Sequence, residues 1–291
     1  MLQKRALHDG YILKCEKITK IHIVMQKKIT AIIQARIGST RLPRKVLLEI
    51  EKKPMLHYVI KQVSASNLID EIIIATSTCS EDDIIADYCK KLKIKCFRGS
   101  VDDVLDRYYK CAKKFSCETI VRITSDCPLI DPLVIDNVIT KFKENSYDYV
   151  SNNVKKIGNS WQNDTCNFPQ GMTVEVSTFS ALEKAWKNAK KPSEQEHVFP
   201  YIQSNPQIFR ISSVRHYRDL SHIRCTVDRI NDFKFVQEIY RRASPAKKFL
   251  SIRDILQIVR KEPELLQMNN NIPFDEGYKK SIVKDAELGY K

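Results

Sequence analysis

Arg36, Arg41, Arg44 and Lys45 stand within ten residues of one another, directly after the apolar run Thr30 to Ala35, with the small pair Gly38-Ser39 between them. Four fixed cations at the carboxyl end of a strand suit a polyphosphate, because open α/β sheets bind ligands in the crevice outside their strand ends. Backbone N–H groups and Arg forks would cradle the phosphate oxygens there. The loop carries neither the G-x-x-x-x-G-K-[ST] spacing of a P-loop nor the G-x-G-x-x-G of a dinucleotide site, which argues against a hydrolytic ATPase and a dehydrogenase.

Two carboxylates belong to the same chemistry. Asp126 follows the run Thr119 to Thr124 as Ser125-Asp126-Cys127-Pro128, and Asp228 takes the equivalent place after Ile223 to Val227. Facing a cationic loop, such a pair forms a platform for Mg²⁺, a hard ion that takes one or two carboxylates plus phosphate oxygens and water. The metal would neutralise charge on the reacting phosphate while the loop cations hold a leaving pyrophosphate. No covalent protein nucleophile is needed, since phosphoryl-type chemistry proceeds by positioning and electrostatics. Asp228 equally suits an N-cap for the next helix. Cys127 has no clear base and reads as a buried thiol. Thr76, Ser77 and Thr78 follow one strand and Arg98-Gly99-Ser100, with Asp102 and Asp103, follow another; Ser77, Ser100 and Asp102 also read as ordinary turn and cap residues.

The elements that must position these groups alternate. Strand-like runs at Thr30 to Ala35, Glu71 to Thr76, Lys95 to Arg98 and Thr119 to Thr124 are apolar on both faces. Amphipathic helices are expected over 54–66, after a Ser80-x-x-Asp83 capping box, over about 102–115, and after Pro132. This β-α-β-α order predicts a mostly parallel sheet covered on both faces. Further strands are expected at Met172 to Val176 and Ile223 to Val227, and helices at 180–189, 231–243 and 251–261, the last capped by Ser251. Residues 29–262 read as one domain with a β-containing excursion at 150–225. Residues 1–28 read as an extension of uncertain origin, because Met25 sits just ahead of the first strand, and 263–291 as a C-terminal tail.

The net charge of +14 favours anionic partners, although much of it is lysine on polar helix faces. Nine cysteines without a C-x-x-C pair, and no secretory signal, suit reduced thiols in a cytoplasmic protein, and six scattered histidines disfavour zinc. Apolar runs are too short to span a bilayer. A nucleic-acid-binding protein would account for the charge but lacks a binding motif and an aromatic-basic stacking face. His197 suits an acceptor contact or a packing role, His216 and His222 read as surface groups, and Trp161 and Trp186 as acceptor-pocket walls or as core or interface aromatics.

Six segments in order, IIQARIGSTRLPRKVL, FRGSVDDVLDRY, RITSDCPLIDP, FPQGMTVEV, EHVFPYI and RCTVDRINDF, resemble the cytidylyltransferases typified by the spore-coat polysaccharide synthesis protein, relatives of the CMP-sialate and CMP-ketodeoxyoctonate synthetases. The likeness covers about residues 29–245. It implies a nucleotide-diphospho-sugar transferase (Rossmann-like) α/β fold and a CTP-dependent, Mg²⁺-assisted transfer of CMP to an acidic sugar or related acceptor in surface polysaccharide synthesis, with pyrophosphate released. By matching position, Ala35, Arg36, Gly38, Ser39, Thr40, Arg41 and Lys45 would hold the triphosphate; Thr76, Arg98, Arg107 and Ser125 would border the nucleoside; Arg36, Lys45 and Asp126 would be catalytic, and Asp126 and Asp228 metal ligands. Gln170, Gly171, Glu175, Glu196 and His197 would face the acceptor. The resemblance also implies a homodimer formed through the excursion. Two departures stand out: Ser125 replaces a common Gly, and Arg229-Ile230 replaces a common Pro-Glu. A sugar phosphate, polyol phosphate or phosphonate acceptor is the nearest enzymatic alternative.

Overall fold

A computed structural model describes residues 28–157 and 160–290; the expected extension at 1–28 lies almost wholly outside the described residues. The first strand, β1 (Ile29–Gln34), is buried along nearly its whole length, as its unbroken apolar sequence requires of a central parallel strand. A short hairpin, β2 (Glu49–Ile50) and β3 (Lys53–Pro54), leads into α1 (Met55–Val63). The alternation continues through β4 (Glu71–Ser77), α2 (Asp83–Lys91), β5 (Lys95–Gly99), α3 (Val104–Lys114), β6 (Thr119–Thr124) and α4 (Pro132–Glu144). Asp103 caps α3 by accepting from Asp106 N at 2.8 Å, and Asp131 with Pro132 starts α4 in the same way.

The second half adds β7 (Tyr149–Ser151), the hairpin β8 (Val154–Ile157) and β9 (Ser160–Asn163), then β10 (Glu175–Thr178), α5 (Phe179–Asn188), α6 (Pro192–His197), α7 (Pro200–Ser204) and β11 (Ile211–Ser213). Three helices close the chain, α8 (Ile230–Arg242), α9 (Ile252–Lys261) and α10 (Glu276–Glu287). The main sheet has seven strands in the order β11-β7-β10-β6-β1-β4-β5, and only β10 runs against its neighbours. Its register sets Glu175 opposite both Arg122 of β6 and Ser151 of β7. Alternate β1 side chains feed two cores: Ala31 and Ile33 pack toward α1, α4, α8 and α9, while Ile32 packs toward α3, α5 and α7. No helix among the described residues is long and apolar enough to cross a membrane.

Several sequence expectations are corrected. Ile223 to Val227 forms no strand; the segment is held by a single bridge between Gln170 and Arg224 and by Val227 N donating to Asp126 O at 2.8 Å. The strand expected at Met172 begins later, at Glu175. The Ser80 capping box does not form: Ser80 starts a 3₁₀ turn (Ser80–Asp82) before α2 and Asp83 pairs with Arg98, while Asp82 accepts from Ile37 N at 2.7 Å and from the backbone and hydroxyl of Ser77, tying the root of the cationic loop to the end of β4. Asp228 caps nothing: Asp232, inside α8, reaches back to accept from Asp228 N and Arg229 N at 2.9 and 3.0 Å. Within the expected C-terminal tail, α10 packs on α6.

Candidate active site

The carboxyl ends of β1 and β6 converge, with Ser125 N donating to Gln34 O at 3.1 Å, and a cleft of about 410 Å³ opens above them. Its walls include Ala35, Arg36, Gly38, Ser39, Thr40, Arg41 and Lys45 from the loop, Arg107 from α3, and Ser125 and Asp126 after β6. A Cβ added at Gly38 would meet nothing within 4 Å, so this part of the loop faces open space. A second cavity of about 200 Å³ adjoins it, lined by Gln170, Gly171, Glu175, Asn153, Asn163, Thr173, Arg224 and Asp228. Arg41, Arg122, Thr124, Asp126, His197 and Gly277 border both. The two spaces therefore meet beside Asp126.

Lys45 is the hub. Its Nζ lies 3.0 Å from Asp126 Oδ2, 3.1 Å from Asp228 Oδ1 and 2.7 Å from the Val227 carbonyl. Burial works against the ammonium, but the two carboxylates outweigh it and raise its pKa. Burial likewise works against both aspartates, yet Lys45 pulls each below the usual carboxylate range, Asp228 furthest because Arg41 adds to it. Arg41 Nη2 reaches Asp228 Oδ1 at 2.6 Å and Arg224 Nη2 reaches Oδ2 at 3.1 Å, so both oxygens of Asp228 are committed to cations. Asp126 differs: its Oδ1 is met by the Cys127 thiol at 3.6 Å, the Thr124 hydroxyl also bonds the carboxylate, and among the described residues no arginine or lysine pairs with Oδ1. That thiol is buried and its pKa is pushed up by burial, which removes it as a nucleophile.

The remaining expected residues divide. Gln170 donates to Ser221 O at 2.9 Å and accepts from Arg224 at 3.0 Å. Gly171 has φ +86°, and a Cβ there would lie 2.4 Å from Thr226 N, so no other residue fits without strain. Glu175 borders the cavity but is held in a buried ion pair with Arg122 and accepts from Tyr149 OH at 2.7 Å. Glu196 and His197 both meet Ser281 of α10, at 2.7 and 3.0 Å. Burial lowers the His197 pKa to about 4. Thr76 and Arg98 do not reach the cleft: Thr76 is fully buried in β4, and Arg98 donates to Ser77 O and Cys79 O and pairs with Asp83. Trp186 stacks on Tyr109 at 4.0 Å and bonds Asp106, away from both cavities; Trp161 is partly buried against the same core. His222 is exposed, whereas His216 is only partly so and bonds the Arg218 carbonyl.

Sequence reasoning passed over Arg122, Arg224 and the lysines of α10. An arginine inside the apolar run Ile120-Val121-Arg122-Ile123 is a readable signal, because such a charge requires a buried partner. Arg224 looked like a strand residue, and nothing in 263–291 matched a motif.

The sequence pattern of the family described as cytidylyltransferase matches residues 30–269. The chain belongs to the cytidylyltransferase family. This cytidylyltransferase is 39% identical to an uncharacterized protein of Methanocaldococcus jannaschii over 84% of its own length and 96% of that protein's. It is 29% identical to the spore coat polysaccharide biosynthesis protein SpsF of Bacillus subtilis, over 81% and 95% of the two chains. A solved cytidylyltransferase from Leptospira borgpetersenii serovar Hardjo-bovis superposes with a TM-score of 0.74 at 30% identity, covering 83% of this chain and 97% of that one.

Proposed function

We propose that this cytidylyltransferase moves CMP from CTP to a hydroxyl of an acidic sugar, releasing pyrophosphate, and that its product feeds surface polysaccharide assembly. The observation that carries this reading is the meeting of two cavities at Asp126, one walled by an exposed phosphate-type loop and the other by Asn153, Asn163, Gln170 and Thr173. Amides and hydroxyls suit a polyhydroxylated acceptor, and Arg41, Arg122 and Arg224 beside them favour an anionic one. The name of the Bacillus relative supports the polysaccharide setting.

The acceptor hydroxyl oxygen attacks the α-phosphorus as the bond to the bridging oxygen breaks; pyrophosphate leaves with that electron pair, and the hydroxyl proton passes to solvent water. Lys45, kept charged by its carboxylates, and the loop guanidiniums of Arg36 and Arg41 stabilise the oxygens that gain charge. The donor set suits Mg²⁺ at Asp126, whose Oδ1 has no N–H donor, while Asp228 serves to hold Lys45 and Arg41 in place. Bound there, the ion would supply Lewis-acid polarisation of the phosphoryl oxygens. Among the described residues no cluster of three His, Cys, Asp or Glu could cage a metal alone, and an ion at Asp126 would take its remaining ligands from substrate oxygens and water.

Pyrophosphate release in magnesium buffer, compared among the four nucleoside triphosphates with a panel of sugar acids, tests the reading. Turnover with CTP alone and a CMP-sugar mass are expected. Equal turnover of all four, or a CDP-linked product, would count against it.

A further inference from the structure

The helix α10 lies in the stretch that matched no motif, yet it forms one wall of the nucleotide cleft. Gly277, Lys280, Ser281 and Lys284 all border that cleft, and their spacing is that of one helix face. The rotation of the helix is fixed by buried polar joints. Asp285 accepts from Ser193 N at 3.0 Å and from the Ser193 hydroxyl, and Ser281 donates to Glu196 at 2.7 Å. Asp285 and Ser281 are each 4% exposed. At its other end Glu276 pairs with Arg229 at 3.0 Å, and Gly277 would bring a Cβ to 3.8 Å from the Arg41 guanidinium. These joints hold the two lysines at the border of the cleft that the loop also lines.

Neither lysine is consumed by the fold. Lys284 has no carboxylate within ion-pair distance among the described residues, and Lys280 reaches only Glu276 of its own helix, at 3.2 Å and 65% exposed. Arg41 and Lys45, by contrast, are already engaged by Asp228. Among the described cleft residues, positive charge without a carboxylate partner lies at Arg36, Arg107 and Lys284, with Lys280 tied only to a neighbour on its own helix.

Resting on the CTP reading above, we propose that Lys280 and Lys284 of α10 are binding residues that grip the triphosphate from the α10 side of the cleft, together with the cations of the loop. They act on the β- and γ-phosphates, because the α-phosphorus must lie at the junction beside Asp126.

Calorimetry on the full-length protein in magnesium buffer, with CTP and CMP as probes and no acceptor, tests this. The Lys280→Gln/Lys284→Gln variant is expected to bind CTP about thirtyfold more weakly, from two lost charge-assisted contacts of about five- to sixfold each, while CMP affinity stays within about twofold. Lys284→Arg should retain most of the CTP affinity, and thermal unfolding of the double variant should match the wild type. Unchanged CTP binding in the double variant, or equal losses for CTP and CMP, overturns the proposal while leaving the CTP reading intact. A wild-type protein that takes up no CTP overturns both.

Discussion

The two halves of the cleft are built on opposite principles. On the nucleotide side Arg36 and Thr40 are exposed, Gly38 faces open space, and Arg36 has no ion-pair partner among the described residues. On the acceptor side the charges are spoken for: Arg122 with Glu175, Tyr149 and Gln203 in one network, and Arg224 with Asp228, Asp232, Gln170 and Asn269 in another. A flexible triphosphate can be gathered by cations that wait in water, whereas a stereochemically exact acceptor calls for groups already locked by their neighbours. Asp126 borders both halves, and Lys45 ties it to Asp228 of the acceptor side.

Asp126→Asn tests the shared point and should have the largest effect, a fall of ~10³-fold in pyrophosphate release if it holds the ion that polarises the phosphate. A loss under about tenfold would place the chemistry elsewhere. Next, Glu175→Ala leaves Arg122 buried without its carboxylate and should cost ~3 kcal/mol in urea unfolding. If instead stability is unchanged, the acceptor side is not the locked half. Gly171→Ala puts a Cβ against the Thr226 backbone at positive φ and should cost ~2 kcal/mol, raising the acceptor KM with CTP affinity held. Arg36→Ala should leave unfolding within ~0.5 kcal/mol but weaken CTP about tenfold; a large stability loss would erase the contrast between the halves.

The smallest effect concerns His197. Burial lowers its pKa from 6.5 to about 4, so as pH falls through that window the unfolded chain takes up a proton that the folded chain refuses. Stability should therefore drop from about pH 6.5 toward about pH 4, and His197→Gln should drop less over the same range. Identical acid profiles would show that the imidazole is not held neutral against α10.

Legibility in the sequence follows the same division. The strands β1, β4 and β6 could be read because parallel strands buried on both faces leave unbroken apolar runs, the edge strand β5 because it continues the strand–helix alternation, and the cationic loop because four cations cluster beside a strand end. Ile223 to Val227 imitated such a run because Ile223, Cys225 and Val227 are buried in the core beneath α8, but its backbone pairs only at the Gln170–Arg224 bridge and at Val227 N to Asp126 O. Arg98 shared a matched motif yet spends its donors on the Ser77 and Cys79 carbonyls. The α10 wall was invisible because it is fixed by Ser193, Asp285 and Ser281, long-range polar joints that leave no local periodicity.

The reversed direction of β10 also bears on how such an enzyme could change its appetite. Since β7 ends and β10 begins at the same rim of the sheet, residues 152–157 and 160–174 leave and return at that rim, keyed into the two cores by Val154, Cys166, Phe168, Met172 and Val174. Exchanging their cavity-lining side chains, Asn153, Asn163, Gln170 and Thr173, while those buried anchors stay, would change what is admitted beside Asp126 without touching the strands that carry the cationic loop.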